Sequence, residues 1–209
     1  RLPIVWPLST LAWVCLQGAF GALTVTMKLY PAVVTAHLLG GLVLLALLAV
    51  QSQTFEPRPL LLAPSLRAGV FFVAALAGLQ MALGGWVSTN YAVLACADFP
   101  TCQGSWWPSM DFAQGFTLRR ALGTAADGSW LPFPALTAIH YAHRLMAYAV
   151  LAALAVLAWR LHRVGGSAHR RWARVLAGIA LWQLASGLSN VVLGWPLVLT
   201  NLAQIALTT

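Results

Sequence analysis

Five stretches of the chain run without a single Asp, Glu, Lys or Arg: residues 2–27, 29–55, 68–97, 145–159 and 175–209. Each exceeds or approaches the ~20 apolar residues that carry a helix across ~30 Å of hydrocarbon. A barrel strand would alternate polar and apolar positions over about ten residues, and no stretch does so. The pattern predicts helices over about 6–28, 32–51, 67–91, 134–162 and 171–195, with a short segment beginning near Leu197. From Pro196 to Thr209 there is room for only about 14 residues, roughly 20 Å of helix, which is too short to span. Tyr30-Pro31 separates the first two helices, "EPRPLLLAPS" the next two, and "RVGGSAHRR" the last long pair.

An internal repeat emerges when the first, third and fifth helices are aligned. "LQGAFGALTV", "LQMALGGWVS" and "WQLASGLSNV" share Gln-x-x-x-Gly as Gln17/Gly21, Gln80/Gly84 and Gln183/Gly187. Small residues one turn apart let helices approach closely in lipid, and a Gln on the same face can bond across the contact. Three occurrences favour a duplicated helix-pair unit over generic packing. The expected fold is an all-α polytopic membrane protein, an antiparallel transmembrane bundle with a pseudo-repeat of helix pairs.

Composition agrees: 60% of the residues are hydrophobic, 8% are charged, and the mean hydropathy is +0.80. A soluble domain needs several times that charge to cover its surface. The 12 Lys and Arg against 4 Asp and Glu do not point to nucleic acid, because nearly all the basic residues fall in loops or at helix ends. They report topology instead. Arg58 and Arg67 occupy one loop, and Arg160, Arg163, Arg170, Arg171 and Arg174 crowd another, so both face the cytoplasm, with Arg1 on the same side. The loop with Asp98, Asp111 and Asp127 then lies outside. The first apolar run is too long for a cleavable signal peptide and lacks a small-residue cleavage site. Trp6, Trp86, Trp106, Trp107, Trp130 and Trp195 are expected at the interfaces, as an aromatic belt. Cys15 reads as a small core residue. Cys96 and Cys102 share the outside loop, where the compartment is oxidising, and are expected to form a disulfide.

The chemistry is concentrated in "AIHYAHRL", which places His140, His143 and Arg144 in otherwise oily sequence, and in "VTAHLLGG", which holds His37. His37 and His143 are expected at similar depth in the outer half of the bilayer. An arginine at depth costs about 2.5–3.5 kcal/mol even on the mild insertion scale, so these groups should face the bundle interior. A lone intramembrane His most simply bonds a neighbouring helix. Two at matched depth, one followed by Arg, suit haem: neutral imidazole binds the iron, the bundle holds the macrocycle, and Arg144 pairs with the propionates. Gly40 and Gly41, one turn below His37, would clear space for a flat ring. On spacing alone either His140 or His143 can be the iron ligand, the other being a neighbouring or proton-handling group. His162 and His169 read as solvated loop residues. No carboxylate lies within a helix to serve an ion pathway or di-metal centre, and no phosphate loop or nucleophile elbow appears.

The stretches "LQGAFGALTVTMKLYPAVVTAHLLGGL", "GGWVSTNYAVLACADFPTCQGSWWPSMDF", "ALTAIHYAHRLMAY" and "GLSNVVLGWPL" together resemble the heme A synthase family over almost all of residues 3–198. The resemblance implies two pseudo-symmetric four-helix bundles and oxidation of the C8 methyl of heme O to a formyl group, giving heme A for cytochrome oxidase. It implies a haem b cofactor in the second bundle and the haem substrate in the first. By position, His37 matches an axial ligand on the substrate side and His143 an axial ligand of haem b. His140 and Arg144 lie beside that site, and Cys96 and Cys102 match the paired cysteines of the outer loop. Residues 1–55 would then be the second half of the first bundle, 56–66 an inside linker, and 67–209 the second bundle with its outer loop at 92–133. The setting implied is the bacterial inner membrane with that loop on the periplasmic side. Expected partners are membrane lipid, heme O, and heme O synthase or oxidase assembly proteins, with an unidentified electron acceptor and no nucleic acid.

Against that family pattern, no segment before Arg1 supplies the first two helices with their catalytic Glu, and "VLTNLAQIALTT" lacks the axial His expected after "GWPL". Each haem therefore keeps one of its two protein ligands in this chain. His140 takes, in the repeat, the place of the missing Glu and is not assigned the catalytic role. Two other classes compete with the enzyme: a non-catalytic cytochrome b-type electron carrier, and a ligand-free scaffold or transporter whose histidines only join helices.

Overall fold

The computed structural model describes residues 4–55 and 60–193. Helix α1 covers Val5–Thr26, α2 Pro31–Gln53, α3 Pro64–Thr89, α4 Phe112–Gly115, α5 Phe133–Val164 and α6 Ser167–Val192. A 3₁₀ turn at Ala92–Leu94 follows α3. Among the described residues, five helices (all but α4) are long and apolar enough to cross a membrane. The protein is a polytopic membrane helical bundle.

Local chemistry sets the boundaries. Pro31 and Pro64 open α2 and α3, where a missing N–H is harmless and the fixed φ suits a first turn. Lys28 and Leu29, both at positive φ, turn the chain between α1 and α2. Gly165 and Gly166, at φ 82° and 80°, are all that separates α5 from α6, so the predicted connector shrinks to two residues. His169, Arg170 and Arg171 join the first turns of α6 instead, since arginine is a good helix former and no breaker follows the glycines. The segment expected from Leu197, together with Arg1, Arg58 and Trp195, lies outside the described residues.

Each long helix packs against the one before and the one after it, α1 on α2, α2 on α3, α3 on α5 and α5 on α6. One apolar cluster, including Leu66, Val73, Val150, Leu157 and Ala173, joins α3, α5 and α6 away from the long loop; a second, around Trp86, Val87, Ala92 and Ile139, lies beneath that loop. Helix α1 has no buried residue among those described. Two expectations change here. Cys15 is exposed on α1, where no described residue packs over it. Trp86 leaves the aromatic belt: it is 5% exposed, donates from Nε1 to the Gly115 carbonyl at 2.9 Å, and lies beneath the Arg120 guanidinium. Trp106, Trp107 and Trp130 are exposed.

Candidate functional site

Gln17, Gln80 and Gln183 each sit nine residues before the last residue of their helices, Thr26, Thr89 and Val192. These helix ends share one end of the bundle with the long loop. The repeat is therefore at one depth, and in two of its three copies it meets a histidine from the next long helix.

On α2, the His37 Nδ1–H donates to Gln17 Oε1 at 3.1 Å, since a carbonyl oxygen only accepts. Gln17 Nε2 donates in turn to the His37 backbone carbonyl at 3.3 Å. The ring rests over Gly21, where a Cβ would come within 3.3 Å of His37 Cε1. On α5, the Gln80 amide nitrogen lies 3.1 Å from His143 Nδ1, and Gly84 underlies the ring, with Cε1 3.2 Å from where a Cβ would stand. Sequence reasoning took Gln-x-x-x-Gly for a helix-packing motif; here it seats an imidazole. The equal spacing of the three pairs was the available signal. Gly40 also changes role: a Cβ there would overlap the Gln17 amide, so it makes room for that side chain and leaves none for a flat ring, whereas Gly41 borders open space.

Helix α5 divides its polar residues between two jobs. Thr137, His140, Tyr141 and Arg144 follow the i, i+3, i+4, i+7 spacing of a single helix face, and all four hold the long loop. Gln103 Nε2 donates to Thr137 Oγ1 at 2.8 Å and the Tyr141 hydroxyl donates to the Trp106 carbonyl. The His140 Nδ1–H donates to the Ala92 carbonyl at 2.9 Å. Arg144 donates to the carbonyls of Asp98 (2.7 Å), Thr101 (3.0 Å) and Cys96 (2.6 Å). The expectation that Arg144 pairs with carboxylates thus meets a guanidinium already bonded to loop backbone, drawn there because the loop folds back over the helix.

The loop itself is tightly built. Cys96 and Cys102 are joined in a disulfide. The Asp98 carboxylate accepts from the Thr101 hydroxyl and from the backbone N–H groups of Gln103 and Gly104, and these bonds, with the Thr101 hydroxyl first, hold its pKa down to about 2. Arg120 donates to Asn90 Oδ1 at 2.6 Å, and burial lowers its pKa. Histidine 162 is exposed on the last turn of α5, but His169 Nε2 reaches the Leu61 carbonyl at 3.2 Å, tying α6 to the linker instead of standing free in solvent.

Between α5 and α6 lies a partly open cleft with a cavity of about 150 Å³, lined by His140, His143 and Arg144 opposite Gln183, Gly187 and Asn190. That is below the ~300–1,000 Å³ usual for ligand pockets. Gln80 Oε1, behind His143, and Asn190 Oδ1, on the cleft wall, are buried without a hydrogen-bond partner among the described residues. The His143 imidazole among mostly apolar walls is the part of this lining whose chemistry fits a haem iron. His37 is one helix pair away, so the structure places the two predicted ligands in separate, equivalent seats.

The family described as "COX15-CtaA: Cytochrome oxidase assembly protein" matches residues 1–206. The chain belongs to that family. Among its curated relatives, "Heme A synthase" of Shewanella oneidensis is 35% identical over 199 residues, covering 91% of this chain and 58% of that protein. "Heme A synthase" of Halalkalibacterium halodurans is 26% identical over 198 residues, covering 91% of this chain and 59% of that protein. The chain thus spans under three fifths of the length of these relatives. No solved structure matches it.

Proposed function

We propose that the chain takes part in making heme A for cytochrome oxidase, by oxidation of the C8 methyl of heme O to a formyl group. The observation that carries this reading is the placement of His143 at the cleft between α5 and α6, backed by Gln80 and Gly84, in a chain of this family. His143 is the ligand to a haem b. His140 is 6% exposed and anchored through Nδ1 to the Ala92 carbonyl, so it braces the site from the loop side. His37 is the corresponding ligand for the heme O substrate, in the α1–α2 seat. A haem b bound there supplies reversible one-electron chemistry, which stepwise oxidation of a methyl group requires. The protein's own part is to aim neutral imidazoles, to line the cleft with apolar side chains such as Leu151, Leu184 and Val191, and to cap it with a rigid loop. The arginines at the far end, Arg160, Arg163, Arg170, Arg171 and Arg174, support an orientation with that end cytoplasmic, which in a bacterial inner membrane would leave the 92–133 loop periplasmic.

The test is a reduced-minus-oxidised spectrum, with analysis of extracted haems, on membranes containing the chain and supplied with heme O. A b-type band together with heme A is expected. No haem band overturns the reading outright; haem without heme A overturns the enzyme and leaves an electron carrier.

A further inference from the structure

We propose that Gln17 and Gln80 are positioning residues that hold His37 and His143 in the Nδ1–H tautomer, so that each ring keeps its Nε2 lone pair for iron. The inference rests on the haem reading above for its purpose, though not for its geometry. In the α1–α2 seat the orientation of the amide is fixed by the protein itself. Gln17 Nε2 must face the His37 backbone carbonyl, which only accepts, and Oε1 therefore faces the ring. An oxygen at Nδ1 demands a proton on Nδ1, and a neutral imidazole then carries none on Nε2.

The α3–α5 seat repeats the parts with one difference. Gln80 brings its amide nitrogen to within 3.1 Å of His143 Nδ1 and 3.3 Å of Nε2, while its Oε1 is buried with no partner among the described residues. With the Gln80 amide turned by a half-turn, Oε1 faces the His143 ring as Gln17 Oε1 faces His37, and the amide nitrogen takes the buried position that has no partner among the described residues. Gly21 and Gly84, one turn along from each Gln, allow the ring to sit this close: in both, Cε1, the carbon between the two nitrogens, lies where a side chain would crowd it. The same constellation on two helix pairs, at the same distance from the helix ends, is a built seat for an imidazole of defined tautomer.

A hydrogen bond accepted from Nδ1–H makes an imidazole a stronger donor to metal, and loss of such a partner typically weakens metal binding about 10- to 100-fold. The experiment has two arms. In the first, ¹⁵N-histidine NMR of the haem-free chain reads the tautomers directly: His37 and His143 are expected as Nδ1–H, and Gln80→Leu is expected to release His143 alone. In the second, the haem-loaded chain is titrated. Gln80→Leu should weaken haem retention about 10- to 100-fold and raise the reduction potential, whereas Gln80→Glu, which keeps an acceptor oxygen, should retain haem and lower the potential. Gln17→Leu gives an independent reading at His37 should Gln80→Leu not fold. Rings found in the Nε2–H tautomer, or a tautomer and potential unmoved by Gln80→Leu, overturn the proposal. Correct tautomers in a chain that never takes up haem overturn only the functional reading and leave the seat standing.

Discussion

Removing the Arg144 guanidinium takes the donors from three loop carbonyls at once, those of Cys96, Asp98 and Thr101. Bonds to a charged group contribute about 1.5–3 kcal/mol each, so Arg144→Ala should lower the unfolding midpoint and open the 92–133 loop to protease, with Arg144→Lys restoring only part because an ammonium lacks the planar fork. Thermal unfolding with limited proteolysis measures both. Asp98 adds a pH dependence. Its carboxyl, held at about 2 against an ordinary 3.8, supports the loop fully above about pH 4 and loses that support as pH falls through 2. Loop nicking should therefore accelerate between those values and do so less in Asp98→Asn. For the two histidines beside the cleft, His143→Ala is expected to abolish haem retention, whereas His140→Ala should keep haem but loosen the loop; the difference spectrum and protease resistance separate them. The histidines were legible in the sequence because a polar group in an apolar helix stands out. The partners of His140 and Arg144 were not: Ala92, Cys96 and Thr101 act through backbone carbonyls, which carry no mark in the residue letters.

At the scale of elements, the α1–α2 hairpin depends on close approach at one glycine and not at its neighbour. Trp13 Nε1 donates to the Gly40 carbonyl at 2.8 Å, and the Gln17 amide fills the space above it. Gly40→Ala should separate the hairpin at a cost of about 1–3 kcal/mol, while Gly41→Ala, facing open space, should be silent; unfolding of the pair of variants in detergent decides it. The helices themselves were readable from uninterrupted apolar length, and their ends only where Pro or Gly marks them. The α5–α6 connector was overestimated because arginines look like loop in a membrane sequence although they extend a helix well. Helix α4 and the turn at Ala92–Leu94 carry no periodicity long enough to read, and they exist because the loop above α5 is compact.

For the whole molecule, the cysteines give a count that checks topology and redox state together. Of three cysteines, Cys96 and Cys102 are bonded and Cys15 is free and exposed on α1. Denatured without reductant, the chain should take up one equivalent of maleimide, and three after reduction, by intact mass. The bundle's composition and repeat were evident from the residues. The division of α5 between a loop-bearing face and a cleft-bearing residue was not, since it depends on how a loop of some forty residues folds back.

Because every long helix leans on its immediate predecessor and successor, the order of synthesis is also the order of assembly. Each hairpin can settle as it leaves the ribosome, with no distant partner among the described residues to wait for. Two coding pieces, one ending after α2 and the other starting before α3, should then rejoin when made in the same cell. The junction they must rebuild is small, chiefly Thr35 beside Thr89 and Leu38 against Gly85.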